Sequence, residues 1–256
     1  MTAAPPPSGE QPTDEDDVRV GPTASYLMAV AQEVGDAPLA PAALTRAAVR
    51  VLPVDGAGLS TMVSVLRQPL VASSDDSRQA EELQTSLGEG PCLDAAEAQA
   101  AIVADHDELR ARWPLYAEEL VRKTAYRAVA AVPLRAAGRG VFAALDLYSA
   151  DPRLTDRLDA RDVAEVAEAA GALLTTCVAQ IQDVDTPDAG PEWYRLASGP
   201  RHDVWVAIGL VMGSRAERTR DALSVLRAHA YSKGRSLDDL ASDVVNGRLP
   251  LSELTD

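Results

Sequence analysis

Residues 87–95 read Leu-Gly-Glu-Gly-Pro-Cys-Leu-Asp-Ala, and this stretch carries the strongest information about the fold. Two glycines followed by a proline make a rigid turn, because glycine permits backbone angles closed to other residues and proline fixes its own φ. The preceding segment, 78–87, has apolar residues at helical spacing. The stretch therefore predicts a helix that ends in a tight turn, with Cys92 just beyond it as a buried structural thiol.

Helices and short strands alternate on both sides of this turn. Helical spacing of apolar residues marks three further segments, at 26–34, 41–52 and 158–182. Alternation and β-rich composition mark five short segments, at 57–66, 70–73, 102–104, 128–134 and 141–148. Residues 23–183 are therefore predicted to form an α+β domain, in which helices flank a mainly antiparallel sheet.

The remaining third of the chain has a different pattern. Residues 184–200 are rich in Pro, Gly and Asp and are predicted to be a linker or a break in a longer helix. Three short helices follow, at 203–212, 219–232 and 237–246. Thr219 and Ser236 are expected N-caps, and a glycine follows each helix where a left-handed C-cap is expected, at positions 213, 234 and 247. Residues 201–251 are therefore predicted to be a compact all-α domain.

Charge is distributed unevenly along the chain. The net charge is −15, from 24 basic and 39 acidic residues. Residues 190–256 hold nine of each, so the whole excess lies before residue 190, partly in an acidic, Pro-rich segment, 1–22, that is expected to be disordered. Residues 201–235 hold seven basic and three acidic side chains. Acidity therefore does not exclude a nucleic-acid partner for the C-terminal helices.

Several classes of protein and site are not expected. No secretory signal and no apolar run long enough to span a membrane is visible, and two cysteines are too few for a disulfide framework, so a cytoplasmic protein is expected. The segment 105–108 is read as a solvated acidic loop, and no metal site is predicted. No catalytic motif and no haem, chromophore or cyclic-nucleotide signature is visible. We therefore expect neither an enzyme nor a bound cofactor.

Two sets of motifs, in the expected order, resemble a known family. The first set lies in the α+β part and comprises Ala57-Gly58-Leu59-Ser60, Glu82-Leu83-Gln84, the stretch 87–95, Arg112-Trp113-Pro114, Val132-Pro133-Leu134 and Ala144-Leu145-Asp146-Leu147-Tyr148. The second set comprises Arg201, the segment 207–212, Ala222-Leu223, Leu226-Arg227, Ala230 and the segment 237–245. Together they resemble the actinobacterial GAF–ANTAR transcription antitermination regulators over residues 23–251.

This resemblance implies a fold and a function. The fold would be an α+β GAF domain, with a PAS-like antiparallel sheet and flanking helices, followed by an all-α three-helix ANTAR domain. The GAF domain would respond to an unknown small molecule or protein, and the ANTAR helices would bind RNA hairpins and prevent termination. A homodimer without membrane association is expected.

A basic face on the second C-terminal helix is the predicted RNA contact. Arg220, Arg227 and Tyr231 share one face, because they are seven and four residues apart. Cations suit RNA phosphates and a tyrosine ring suits an unstacked base. Further RNA contacts are predicted at Arg201, Arg215, Arg218, Lys233 and Arg235. The alternative is a solvated helix face neutralised by Asp221 and Glu217.

Two further alternatives stay open at this level. Trp205, Val206 and Ile208 depart from the family pattern and make the helix 203–212 apolar nearly all round. The protein could thus be a non-enzymatic sensor whose ANTAR helices serve dimerisation and not RNA binding. In the GAF part, four aromatic residues could line a ligand pocket or form ordinary core: Trp113, Tyr126, Phe142 and Tyr148.

Overall fold

The computed structural model of the protein describes residues 20–63, 66–136, 140–179, 192–215 and 218–255. Two predictions fall outside these ranges. They are the disorder expected for residues 1–19 and the first part of the expected linker, 184–191. Gly21 and Pro22, at the end of the segment expected to be disordered, cap and begin the first helix.

A five-stranded antiparallel sheet forms the centre of the first 180 residues. Its strands are β1 (Gly56–Val63), β2 (Leu66–Ala72), β3 (Ile102–Ala104), β4 (Ala128–Ala136) and β5 (Gly140–Ser149). The spatial order is β2-β1-β5-β4-β3, and each neighbouring pair is antiparallel. The predicted α+β class, with a mainly antiparallel sheet, is therefore confirmed.

One face of the sheet is covered by α1 (Pro22–Val34), α2 (Pro41–Val51) and α7 (Ala160–Ala179). Their apolar stripes pack on β-strand residues such as Leu59, Leu145 and Leu147, which are fully buried. These helices fall where helical spacing predicts them, because each buries a single continuous stripe. α7 is described as far as 179, so the predicted extension to 182 lies outside the described residues.

The opposite face is covered by α3 (Asp75–Leu87), α4 (Pro91–Ala98), α5 (His106–Arg112) and α6 (Pro114–Lys123).

The reading of 105–108 as a solvated acidic loop is wrong, because α5 begins at His106 and the Asp105 carboxylate accepts a hydrogen bond from the Thr155 amide at 3.0 Å. A helix of seven residues with one buried apolar side chain, Leu109, shows no periodicity that sequence reasoning could detect.

Three helices and a 3-10 turn at Leu251–Thr255 form a C-terminal helical unit with its own core: α8 (Glu192–Arg215), α9 (Thr219–Ser232) and α10 (Leu237–Val245). α9 spans its predicted range, and Ser236 caps α10 by accepting from the Asp239 amide at 3.1 Å. Gly234 and Gly247 adopt the expected left-handed angles, with φ of 63° and 70°.

Three predicted helix ends in this unit are wrong. Arg218, not Thr219, occupies the N-cap of α9, and no side chain caps that end. α8 does not stop at Gly213; it continues to Arg215, and it begins at Glu192, within the range expected to be linker. Open space surrounds Gly213, and its position inside a helix requires no left-handed angle.

The helical unit lies against the sheet domain. α8 contacts α9 and α10 on one side and the edge strand β2 on another, and α9 contacts α3. Within the segment 203–212, the side chains of Val204, Ala207, Ile208 and Val211 are buried in the core of the helical unit, while Leu210 is exposed. Among the described residues, no helix is both long and apolar enough to cross a membrane.

Replacement of Gly213 tests the continuous α8. We expect Gly213→Ala to stabilise the protein by about 0.5–1 kcal/mol, because alanine costs less than glycine inside a helix and has free space here. Urea denaturation followed by circular dichroism measures the change. Gly234→Ala is the matched control and should destabilise, since its φ of 63° disfavours a Cβ. Destabilisation by both substitutions would contradict a continuous helix.

Candidate functional site

A fully buried guanidinium organises the interior between α3 and the sheet. Arg67 of β2 is 1% exposed and forms ion pairs with the carboxylates of Glu81 on α3 and Asp146 on β5, the latter at 2.7 Å. Its Nε lies 2.9 Å from the sulfur of Cys92, and Nη1 donates to the Glu81 carbonyl at 2.9 Å and to the Thr85 hydroxyl at 3.2 Å. An arginine buried this deeply needs such partners, because an unpaired charge in the interior is strongly unfavourable.

Two further side chains complete this buried ionic cluster. The Tyr148 hydroxyl donates to Glu81 Oε1 at 2.6 Å, and Gln84 Nε2 donates to Asp146 Oδ2 at 2.9 Å. Gln84 also accepts, through Oε1, from the backbone amide of Cys92 at 2.9 Å. The cluster therefore ties together β2, β5, α3 and the start of α4, which follows the turn at 88–90.

One glycine makes the approach of α3 possible. A Cβ at Gly58 in β1 would overlap the carboxyl group of Glu81. Glycine at this position thus lets the acidic side chain reach Arg67 beneath the helix. This is a packing reason for the Ala57-Gly58-Leu59-Ser60 motif.

The cluster holds two acids and one permanent cation, so its charge is balanced only if one acid carries a proton. Burial raises the pKa of the Glu81 carboxyl to about 8, against the opposing charge of Arg67 and with the support of Asp146. Burial likewise raises the pKa of the Cys92 thiol. The thiol is therefore neutral and unreactive, in agreement with its predicted structural role.

Two polar atoms beside the cluster have no hydrogen-bond partner among the described residues. They are Asp146 Oδ1 and the Tyr116 hydroxyl, and both side chains are fully buried. Burial and the nearby Asp146 carboxylate raise the pKa of Tyr116. Most polar atoms of the cluster thus have hydrogen-bond partners, but these two do not. A partly hydrogen-bonded buried cluster is sensitive to changes of charge.

Three of the four predicted pocket aromatics lie together on this side of the sheet. Trp113, Tyr126 and Tyr148 belong to one core cluster, and the rings of Tyr126 and Tyr148 stack with centroids 5.0 Å apart. Phe142 packs against the core on the opposite face. The reason is a register shift: Leu134 pairs with Ala143 and the next residue of β4 pairs with Val141, so Phe142 is left unpaired.

The predicted RNA-binding face meets the sheet domain at Arg227. Its Nε donates to the Thr85 carbonyl at 2.9 Å, and its guanidinium lies over Gly88, where a Cβ would come within 2.7 Å of Nη1. Thr85 is one of the last four residues of α3, whose carbonyls have no partner within the helix. Arg227 thus caps α3 from another domain, with its positive charge at the negative end of the helix dipole.

The other predicted RNA contacts are exposed where they are described. They are Arg218, Arg220, Tyr231, Lys233 and Arg235. Arg235 forms an ion pair with Asp243. Arg201 and Arg215 lie in α8, but their side chains are outside the description.

A cleft of about 560 Å³ lies between the two domains, next to the Arg227 contact. α3 and α6 form one wall, with Leu87, Arg122 and Lys123, and the end of α9 and the turn after it form the other, with Tyr231 and Arg235. No group of three or more potential metal ligands lies together among the described residues.

Sequence reasoning missed the roles of Arg67 and Glu81, although a signal for them existed. Asp146 interrupts the apolar strand 141–148 at a position between buried neighbours. An acid there needs a cation, and Arg67 is the only basic residue between 51 and 77. Choosing Glu81 among the acids of α3 required the helix orientation, which the sequence does not contain.

The bound proton makes stability depend on pH. The folded-state pKa of Glu81 is about 8, and its ordinary value is 4.5. The contribution of this bound proton to the free energy of unfolding is therefore complete below pH 4.5 and is lost as the pH rises through 8. We expect the free energy of unfolding to fall by up to about 1.4 kcal/mol per pH unit between pH 6 and 8. Urea denaturation across that range measures the slope.

Glu81→Gln should remove this slope, because the amide keeps the shape but does not titrate. Glu253→Gln, at an exposed position in the C-terminal 3-10 turn, should leave the slope unchanged. If the free energy of unfolding depended on pH in the same way in the wild type and in Glu81→Gln, that result would contradict a proton held by Glu81.

Several solved structures align with part of this chain at low sequence identity. The GAF domain from a phosphoenolpyruvate-protein phosphotransferase of Coxiella burnetii aligns with 18% identity and a TM-score of 0.44, covering 61% of this chain and 95% of that one. A domain of a putative two-component sensor histidine kinase from Sinorhizobium meliloti aligns with 15% identity and a TM-score of 0.43, covering 56% and 94%. The free methionine-R-sulfoxide reductase of Neisseria meningitidis aligns with 17% identity and a TM-score of 0.40, covering 60% and 90%.

No curated protein matches the sequence. The sequence model of the GAF domain matches residues 38–175, which contain the whole sheet and the buried ionic cluster, and the C-terminal helices lie outside the match. Since the match covers more than half of the chain, the protein belongs to the GAF domain family.

Proposed function

We propose that the protein is a cytoplasmic, non-enzymatic RNA-binding regulator of transcription antitermination, in which the GAF domain controls access to the C-terminal helices. The observation that carries the proposal is the hydrogen bond from Arg227 to the Thr85 carbonyl. It occupies a central cation of the predicted RNA face, while the neighbouring cations on the same helix and its flanking turns remain exposed.

The exposed side chains have the chemistry that RNA hairpins require. Arg218 and Arg220 at the start of α9 and Lys233 after its end can contact phosphates, and Tyr231 is 49% exposed and can stack on a loop base. Undocking of α9 would add Arg227 to this surface. RNA hairpins and the docked α3 therefore compete for the same guanidinium.

The hydrogen bond from Arg227 to the Thr85 carbonyl is strong enough to favour the docked state and weak enough to be broken reversibly. A hydrogen bond to a charged group contributes roughly 1.5–3 kcal/mol, and a bias of this size changes the ratio of two states by about one to two orders of magnitude. A small molecule or protein that binds the GAF domain shifts this ratio if its affinity differs between the docked and undocked states.

The second candidate function is a sensor whose C-terminal helices serve dimerisation and not RNA binding. Leu210 on α8 favours it, because this large apolar side chain is 40% exposed in the single chain. A second copy could cover Leu210, and we propose a homodimer through α7 and α8 for both candidate functions. RNA binding distinguishes the two candidates.

Loss of one exposed cation on the RNA face should weaken RNA binding in a salt-dependent manner. We expect Arg220→Gln and Lys233→Gln each to lower the affinity of the full chain for an RNA of two short hairpins. Each should also reduce the slope of log affinity against log salt by about one, since each removes one phosphate contact. Filter binding at several salt concentrations measures both quantities.

Arg161→Gln is the matched control, because Arg161 lies at the exposed start of α7 and outside the proposed surface. It should leave affinity and slope unchanged. Equal effects of all three substitutions, or no salt-dependent binding by the wild type, would remove the RNA-binding proposal. Sedimentation of the same samples then tests the dimerising sensor.

A further inference from the structure

Thr85 takes part in two contacts that face opposite sides of α3. On the inner side, its hydroxyl accepts a hydrogen bond from Arg67 Nη1 at 3.2 Å and donates to the Glu81 carbonyl at 3.2 Å. On the outer side, its carbonyl accepts from Arg227 Nε at 2.9 Å. One residue thus joins the buried ionic cluster of the GAF domain to the helical unit.

The last turn of α3 is held by these contacts, by its glycine cap and by Leu87, which packs against the core. The Gly88 amide closes the helix on the Gln84 carbonyl at 3.0 Å, and Gly88 adopts a left-handed φ of 73°. The Gln84 side chain, in turn, binds Asp146 within the cluster. A rearrangement of the cluster therefore changes the position of the Thr85 carbonyl, and the position of this carbonyl determines whether Arg227 can bind it.

We infer that the last turn of α3 couples the buried ionic cluster to the docking of α9, with Thr85 as the coupling residue. The inference concerns regulation of the RNA-binding surface, and in this respect it rests on the proposed function. A signal that changes the contacts of Arg67 would release Arg227 without itself touching α9. The signal acts on the buried ionic cluster, and the contact between Arg227 and Thr85 responds to it.

Two conservative substitutions perturb the cluster from different sides. Thr85→Val removes the hydroxyl but keeps the backbone carbonyl, and Arg67 Nη1 retains the Glu81 carbonyl as acceptor. Cys92→Ala removes the sulfur that faces Arg67 Nε, and Cys92 is on α4, outside the contact between α3 and α9. Neither substitution changes a group that touches Arg227 directly.

The chain offers a matched control for each substitution. Thr175 on α7 also donates its hydroxyl to the carbonyl four residues earlier, that of Gly171, at 2.8 Å. Cys177 is also fully buried, but in the core on the opposite face of the sheet. Thr175→Val and Cys177→Ala therefore repeat the chemistry without touching the cluster.

Distances between spin labels measure docking in the full chain. Labels are introduced at Ala98→Cys, at the exposed end of α4, and at Glu253→Cys, in the 3-10 turn of the helical unit. Cys92 and Cys177 are both buried, so labelling is confined to the introduced cysteines. Pulsed electron paramagnetic resonance separates the single narrow distance distribution of the docked state from the broad distribution of the undocked state. Circular dichroism verifies that each variant is folded.

We expect Thr85→Val and Cys92→Ala each to raise the undocked-to-docked ratio by up to about fivefold, the value reached when the lost hydrogen bond is made only in the docked state. Arg227→Gln should raise the ratio by about tenfold or more, because its contact is charged. In the Arg227→Gln background, Thr85→Val should add nothing, since the two substitutions act through one contact. The two control substitutions should leave the ratio at the wild-type value.

Three results would overturn the inference. They are an unchanged ratio in Arg227→Gln, ratios for Thr85→Val and Cys92→Ala that equal their controls, and full additivity of Thr85→Val with Arg227→Gln. RNA is absent from this measurement. If docking responds as expected but hairpin RNA does not bind, the coupling stands and the proposed function fails.

Discussion

Burial of the Arg67 guanidinium is the constraint on which the arrangement of the GAF domain depends. A charge without solvent is tolerated only when partners surround it, and here they come from β5, α3 and α4. Glu81 can supply its carboxylate only because Gly58 has no side chain in its path. The buried charge thus holds α3 against the sheet at Glu81.

The position of α3 then determines how the C-terminal helices dock. A helix end leaves carbonyl groups without partners, and Arg227 of α9 supplies a donor and a positive charge to one of them, that of Thr85. The interior of the sensor and the predicted RNA face are therefore separated by a single helical turn. This closeness allows a change inside the GAF domain to alter a surface on another domain.

Elements with a strong local pattern could be predicted from the sequence, and elements formed by long-range contacts could not. The helices α1, α2 and α7 and the strands β3, β4 and β5 were predicted because each buries a periodic apolar set. The hairpin of β1 and β2 was also predicted, but its strands were wrongly placed at 57–66 and 70–73, since β1 ends at Val63 and β2 begins at Leu66. The short helices α4, α5 and α6 were not predicted. α5 buries a single apolar side chain, Leu109, whereas α6 has a short stripe of Tyr116, Ala117 and Leu120 that was overlooked. Gly213 was misread as a helix end because an open position on a helix and a left-handed cap have the same sequence signature.

Some parts of the candidate site were likewise visible in the sequence, and others depended on tertiary contacts. The face of α9 with Arg220, Arg227 and Tyr231 was visible from helical spacing, and the aromatic residues near Asp146 were visible as a group. The position of Phe142 on the other face was decided by a register shift between two strands, which no local pattern encodes.

The sequence by itself determined the α+β class of the GAF domain, the helical nature of the C-terminal unit and the basic face of α9, because periodicity and charge are local properties. Only the tertiary structure decided that Arg67, Glu81 and Asp146 share one buried cluster and that Arg227 binds the end of α3. The physical reason is that these partners lie far apart along the chain, and their attraction depends on distances and on exclusion of water that exist only after folding.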